Sequence, residues 1–344
     1  MSPNSKLIIT VFIVVTAELL SIVFLAQSTR DKLYSNLVAQ EIEKRQVLAR
    51  HLAQHIEDDT VNVQDKLSLI AQRLEIRSGS SAECNHQLDQ AFQALKSKIS
   101  DLVRADAKGQ IYCASNKDAI GIDITKDQDL KRLIEDPNHP SVVHRITFSP
   151  VSNQHVAGLH IPVYGVSGKF VGSLGGVIYF GEFEEKFFNG LIIEKNNLEL
   201  IDDNGDILYS TSKELVGKNL LSPEIVKLVP ENKQEEYSQL LKQALVDASQ
   251  GKSSTVSTSF PSSRDETKVY YPIKLTAGRH WLISMSIPLK EIIYKVDQDS
   301  LILHVKSSSI LIISIITIVL VTQISLFYYL MAHLKKHHSS KDLI

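Results

Sequence analysis

Cysteine, tryptophan and methionine are scarce in this chain of 344 residues, with two, one and three occurrences. Two cysteines, Cys84 and Cys113, rule out a disulfide-dense scaffold, and the lack of any Cys-x-x-Cys leaves no zinc or dithiol signature. Catalytic motifs are missing too: there is no Gly-x-Ser-x-Gly elbow, no P-loop and no His-Glu-x-x-His. We therefore read a non-enzyme, with no cofactor and no metal. His51 and His55 stand one helical turn apart without a third ligand. The run Asp202-Asp203-Asn204-Gly205-Asp206 opens like a calcium loop but lacks the Glu at its twelfth position, so turn chemistry explains it. Charge is nearly balanced, 37 basic against 39 acidic residues, and the basic residues are not interleaved with aromatics. Nucleic acid is excluded as a partner on that ground.

Long apolar runs occur only near the ends, at residues 7–26 and 307–332. Each is about as long as a helix that crosses a bilayer. The first run exceeds the core of a usual signal peptide, and Leu25-Ala26-Gln27 is a poor cleavage site, which favours an uncleaved span. Lys335, Lys336 and Lys341 in the tail, with Lys6 at the start, place both termini in the cytoplasm. The expectation is a two-pass protein of the cell (plasma or inner) membrane, with residues 27–306 outside. Glu18 and Gln323 fall mid-span at depths that differ by about 3 Å. An intramembrane acid is usually partnered, so we expect Glu18 to meet Gln323, or Glu18 of a second chain. In the outer compartment Cys84 and Cys113 either form a disulfide, stapling the helices before the first strand to the sheet after them, or remain two separate thiols.

The middle of the chain repeats itself. The stretch from Asp106 through Gly109, Ile111, Lys117, Ile120 and Gly121 recurs 96 positions later as Asp202, Gly205, Ile207, Lys213, Val216 and Gly217. Asn204-Gly205 is a strong signal for a tight turn, because the φ > 0 it needs suits Asn and Gly, and Lys108-Gly109 occupies the same place. An aliphatic residue two places on opens a strand. Two copies are too few for a solenoid, so they predict two similar domains in tandem.

Residues 30–76 lack Gly and Pro and carry Leu33, Leu37, Leu48, Leu52, Ile56, Leu67 and Ile70 at helical spacing, which predicts one long helix. It ends at Ser78-Gly79-Ser80-Ser81, and a short helix comes next at 88–99. A helix at 127–135 precedes strands at 142–148, 156–164 and 169–180. In the last of these Leu174 and Ile178 share one face, and Ser173 and Tyr179 the other. The second copy opens at 198–201 and carries a helical insertion at 231–251, then strands at 253–260, 267–275 and 281–287. Each copy is an antiparallel sheet with helices to one side, so the fold class is α+β.

This order resembles the double Cache family of extracytoplasmic sensor domains, two PAS-like modules on a long N-terminal helix. The resemblance rests on Ile201 to Tyr209 with Leu215-Val216-Gly217-Lys218-Asn219, and on Tyr271-Pro272-Ile273 leading to Trp281 and Ser286-Ile287-Pro288. Ile161-Pro162-Val163 with Gly168-Lys169-Phe170-Val171-Gly172 carries it in the first module. It implies these segments: cytoplasmic 1–6, span 7–26, long helix and connector 27–95, membrane-distal module 96–190, membrane-proximal module 191–295, connecting helix 296–306, span 307–332 and tail 333–344. It also implies a small-molecule ligand in the distal module. The amino-acid-binding branch uses a Tyr/Arg/Trp/Tyr cluster and a later Asp. Here the pocket helix reads Asp127-Gln128-Asp129-Leu130-Lys131-Arg132-Leu133, and the late strand ends Val177-Ile178-Tyr179-Phe180 without an Asp.

For the distal pocket the candidates are Tyr112, Asp129, Arg145, His160, Tyr164 and Tyr179. His160 and Tyr164 stand at even spacing on one strand. Arg145 lies on the preceding strand, where a planar guanidinium would suit a carboxylate. Two readings are open. In the first, the chain is a membrane-anchored sensor, homodimeric through residues 30–76, that lacks its own output domain and acts through a separate cytoplasmic or membrane signalling partner. In the second, it is a scaffold whose PAS-like modules bind partners without a ligand. A hollow, polar distal cup would separate them.

Overall fold

A computed structural model describes residues 3–125, 128–136, 142–149, 153–179, 182, 185, 198–260, 263–275, 278–287, 289–290 and 292–298. In it the two copies of the repeat close into the same hydrogen-bonded unit. The Gly109 N–H donates to the Asp106 carbonyl and the Gly205 N–H to the Asp202 carbonyl, each at 3.0 Å. Both glycines have the positive φ that such a turn demands, +83° and +91°. The Asp106 carboxylate accepts from the N–H groups of Lys108 and Gln110, and the Asp202 carboxylate from those of Asn204 and Asp206. Beyond the turn the Ile111 N–H reaches the Ile122 carbonyl, and the Ile207 N–H the Lys218 carbonyl, both at 2.9 Å. The offset of 96 read from the sequence therefore holds bond for bond.

Each unit belongs to a five-stranded antiparallel sheet. The first contains β1 (Asp101–Asp106), β2 (Ile111–Ala114), β3 (Val142–Ser149), β4 (Gln154–Tyr164) and β5 (Phe170–Tyr179), in the order β2-β1-β5-β4-β3. The second contains β6 (Leu198–Asp202), β7 (Ile207–Ser210), β8 (Ser254–Phe260), β9 (Ser263–Lys274) and β10 (His280–Ile287), in the matching order β7-β6-β10-β9-β8. The two antiparallel sheets and the long N-terminal helix agree with the expected PAS-like arrangement.

Helix α1 (Pro3–Ala71) supplies an apolar stripe, Leu52, Ile56, Val63, Leu67 and Ile70, at the i, i+3, i+4, i+7 spacing of one helix face. These side chains share one core with Leu102, Leu159, Ile161 and Leu174 of the first sheet and with Leu198, Leu200, Ile273, Trp281 and Ile283 of the second. The helix stops at Ala71, short of the expected Ile76, and a turn leads to α2 (Leu74–Ser78). That break lets Ile76 bury completely while its carbonyl accepts from Arg104. Helix α3 (Ser81–Leu95) starts seven residues before the expected 88, because Ser80 and Glu83 form a capping box. Helix α4 spans Gln128–Glu135. In the second copy α5 (Pro223–Val226), starting with Pro after the Ser222 cap, precedes α6 (Gln234–Ser249), the expected insertion.

Residues 40–288 form one compact unit that holds both sheets; residues 1–39 and 289–344 form another. In the latter, Arg30 pairs with Asp297 at 2.8 Å in an exposed ion pair. Among the described residues no helix is long and apolar enough to cross a membrane. Residues 7–26 fall in the first part of α1, where the Glu18 side chain is not described, and the run 307–332 with Gln323 lies outside the described residues.

Cys84 on α3 and Cys113 on β2 are bonded, with Cα atoms 6.0 Å apart, and both are fully buried. A bond across a separation of 29 residues removes loop freedom from the unfolded chain. Reduction should lower unfolding stability by about 3–4 kcal/mol, read as a denaturant midpoint with and without reductant. An unchanged midpoint would deny the bond.

Asp202 is fully buried and its Oδ2 has no hydrogen-bond partner among the described residues. Burial pushes its carboxyl up to about 6, with the charges of Asp206 and Asp203 adding to the rise and the N–H donors of Asp206 and Asn204 opposing it. A folded pKa above the unfolded one favours the folded state at low pH. The contribution is complete below about pH 4 and is lost as pH rises through about 6. Asp202→Asn should flatten that part of the stability profile, by about 2–3 kcal/mol, in melts run across pH 4 to 7. A profile identical to the parent's would refute the assignment.

Candidate functional site

The faces of the two sheets turned away from α1 decide where a ligand can sit. In the first sheet the strand pleat sends Leu102 to the helix core and Val103 and Ala105 to the opposite side, where they pack with Ile111, Ala114 and Ala119. On this outer face Val103 stands opposite Gly175, and Gly175 opposite His160. One row along, Asp101 stands opposite Val177, and Val177 opposite Gly158. Two of the central positions are therefore bare backbone. His160 is only 2% exposed, and its imidazole occupies the space where a Cβ on Gly175 would lie, so position 175 has to be glycine. Helix α4 packs across β3, β4 and β5 and buries Leu133.

One corner of this cup is polar. Asp101 is 2% exposed. Its Oδ1 accepts from the Leu102 N–H at 2.7 Å, the Asn116 N–H at 2.9 Å and the Ser115 hydroxyl. Burial raises the Asp101 carboxyl above the usual range, and the three donors oppose that rise. The Asn116 side chain stands beside the Tyr179 hydroxyl and opposes the rise in its pKa. That pKa is pushed up to about 12, mainly by burial and then by the charges of Asp101 and Glu182. Ser100 accepts from the Tyr179 N–H at 3.0 Å and donates to Glu182 at 2.6 Å.

The second sheet carries the same grid with different contents. Glu199 takes the place of Val103, Ser284 that of Gly175, Tyr270 that of His160, Ser286 that of Val177, and Lys268 that of Gly158. The Lys268 ammonium donates to both oxygens of Glu199, at 3.0 and 2.9 Å, with both residues buried. Tyr270 packs under α6 against Tyr237, Leu241 and Leu282. Where the first cup has the Gly158 backbone, the second has the Lys268 side chain.

Residues 33–296 match the profile of the double Cache family, described as a Cache domain. The chain belongs to this Cache family. Solved structures share the fold at low identity. The ligand-binding domain of the Pseudomonas aeruginosa PAO1 amino acid chemoreceptor PctB, in complex with L-Gln, is 17% identical, with a TM-score of 0.53, over 72% of this chain and 91% of that one. The periplasmic sensory domain of the Campylobacter jejuni chemoreceptor Tlp1 is 13% identical, TM-score 0.53, over 74% and 98%. An extracellular ligand binding receptor from Desulfohalobium retbaense is 18% identical, TM-score 0.52, over 70% of this chain; the match spans 39% of that receptor's length. No curated protein matches.

Within the first Cache module the structure keeps two of the sequence-derived candidates together: His160 on the floor and Tyr179 at the polar corner. Tyr112 goes to the other face. A register shift between Arg104 and Ala105 interrupts the β1–β2 pairing, and the Tyr112 ring lies 5.3 Å from the Arg104 guanidinium on the helix side. Tyr164 also leaves the cup. The ladder shifts between Val163 and Tyr164, and the ring packs edge-on against Phe170 beside a groove of about 350 Å³ lined by Ser68, Gln72 and Arg77. Asp129 sits on α4 and Arg145 within the irregular part of β3; their side chains are not among those described. Asp101 and Asn116 were missed. The available signal was an acid on the outward-facing parity of a strand otherwise lined by Val103 and Ala105.

Gly175→Ala should cost about 1–3 kcal/mol, because the methyl must displace the His160 ring. Adding His160→Ala should recover part of that loss, so a double-mutant cycle in denaturant should be strongly non-additive. Simple additivity would mean the two residues do not touch.

Proposed function

We propose that the chain is an extracytoplasmic small-molecule sensor, anchored in the membrane by residues 7–26 and 307–332, that binds its ligand in the first Cache module. One observation carries this reading: the outer face of the first sheet carries no side chain at Gly158, beside the half-buried Val177, while the equivalent position of the second is Lys268, paired with Glu199. Binding, not catalysis, is what such a cup supports. Family membership supports an extracytoplasmic place, since Tlp1's related domain is a periplasmic sensory one. PctB's domain was solved with L-Gln, so an amino compound is a reasonable starting ligand here. Arg145 on β3 is the candidate for a carboxylate at the far side of the cup. The occupied cup would shift the first sheet against α1 and pass the change to a separate cytoplasmic or membrane signalling partner. Val47, Val61 and Leu69 are exposed on α1 and offer apolar surface for a homodimer.

The filled face of the second module favours a scaffold role for that module alone, transmitting force without a ligand of its own.

A thermal-shift screen of the full chain in detergent, against amines, amino acids, organic acids and purines, tests the proposal. A ligand at 100 times its Kd should add about 2.7 kcal/mol of stability. Val177→Trp should abolish that gain, because the half-buried Val177 lies at the centre of the cup. A broad screen without a hit, or a hit indifferent to Val177→Trp, would overturn the reading.

A further inference from the structure

The two copies of the repeat differ at the glycine in the loop after the second strand. Gly121 and Gly217 both have positive φ, +92° and +81°, and both donate their N–H back to the strand, to the Ile111 carbonyl at 2.7 Å and the Ile207 carbonyl at 2.8 Å. Apart from its chain neighbours, a Cβ on Gly121 would meet no described atom within 4 Å. A Cβ on Gly217 would fall on the imidazole of His155, which belongs to β4 of the first sheet. Bare backbone is what lets the ring come so close. At this loop the first module touches the second.

His155 is held for that contact. Its ring packs edge-on against Phe148, its neighbour across β3, with centroids 5.6 Å apart and planes at 80°. It stands two residues before Ala157, on the helix side of the sheet, while His160 on the same strand reaches the floor of the cup from the other side. From Val156 to Val163 the pairing of β4 with β5 runs without a shift, so this stretch is braced to move as one piece. Beyond the contact the loop is tied into the second module. The Leu220 N–H donates to the Gly205 carbonyl at 2.9 Å, and the Leu220 carbonyl accepts from the Tyr237 hydroxyl of α6 at 3.1 Å.

We propose that His155 on Gly217 is the joint that couples the two modules. A change in the first cup moves β4, and His155 carries that movement into the loop at residues 215–220 and on to α6. This rests on the sensor reading above and names how the second module reads the first. Helix α1 is the rival route, since both sheets pack against it, and it needs no contact at Gly217. Deciding between them takes a measurement of coupling, because adjacency alone does not establish a route.

The test is hydrogen exchange on the full chain in detergent, with Val177→Trp filling the cup in place of a ligand; Val177→Phe serves if the larger ring prevents folding. In the parent background, filling the cup should shift exchange at the amides of Ile207, Gly217 and Leu220 by about 2- to 30-fold. That response should disappear in His155→Ala and return in His155→Phe, which keeps a ring over Gly217. The amides of Ile111, Gly121 and Ile124 form the same loop in the first copy, with no ring over Gly121, and His155→Ala should leave them unchanged. If His155 only packs, its removal loosens the second loop but leaves the response to Val177→Trp intact, and that result would overturn the joint. So would a parent chain in which filling the cup changes nothing at residues 207–220. A ligand whose binding depends on Val177, with no response at Gly217, keeps the sensor and removes the joint. A response at Gly217 with no ligand from the screen keeps the joint and removes the sensor.

Discussion

Both sheets bury one face against the same helix, and the rest of the molecule depends on that constraint. The stripe from Leu52 to Ile70 is a single run of side chains that serves two five-stranded sheets at once. In the first sheet Leu88, Ala91 and Leu95 of α3 join the same core, so each sheet commits its inner face to the helices and keeps its outer face for other work. Fully burying a side chain such as Leu52 or Ile56 contributes about 1.5–3 kcal/mol, and the stripe repeats that gain over several turns. A packed interior is stiff, so a shift of either sheet is felt along the stripe and not absorbed locally.

The duplication shows what a PAS-like sheet has to keep and what it is free to change. Both copies retain the turn, the strand order and the hydrogen bonds that close the loop after the second strand. The inner faces retain apolar residues, with Arg104 the exception in the first copy. Its guanidinium donates to the carbonyls of Ile76, Ala105, Val171 and Ser173, which ties α2 to the edge of the cup's floor. The outer faces keep Ile111 and Ile207 at equivalent places but diverge at their centre. Where the first copy removes side chains, the second installs a buried Lys268–Glu199 pair. A buried pair of this kind adds little net stability, since desolvation offsets the attraction, but it does occupy the space.

Much of the fold was legible because its signals are local. Asn204-Gly205 and Lys108-Gly109 name their turns, and β5 alternates so cleanly that Leu174 and Ser173 could be assigned to opposite faces by parity alone. The end of α1 was not legible, because Leu74 and Ile76 continue the helical spacing across the break. Parity also failed for Tyr164, and Tyr112 went to the inner face. Each lies beside a register shift, where one extra residue reverses which side of the sheet a side chain faces, and no count along the strand reveals that. His160 and Tyr179 lie on uninterrupted stretches of the β4–β5 ladder, and both stay on the outer face.

By itself the sequence determined that one α+β unit is used twice, where its turns and strands fall, and that a long helix precedes both copies. Those properties depend on residues within a few positions of one another, or on exact repetition. Only the tertiary structure decided which residues line each copy's outer face. Asp101, Asn116, His160, Gly175 and Tyr179 become neighbours through antiparallel pairing between strands far apart in the chain, and cross-strand register is a property of the assembled sheet.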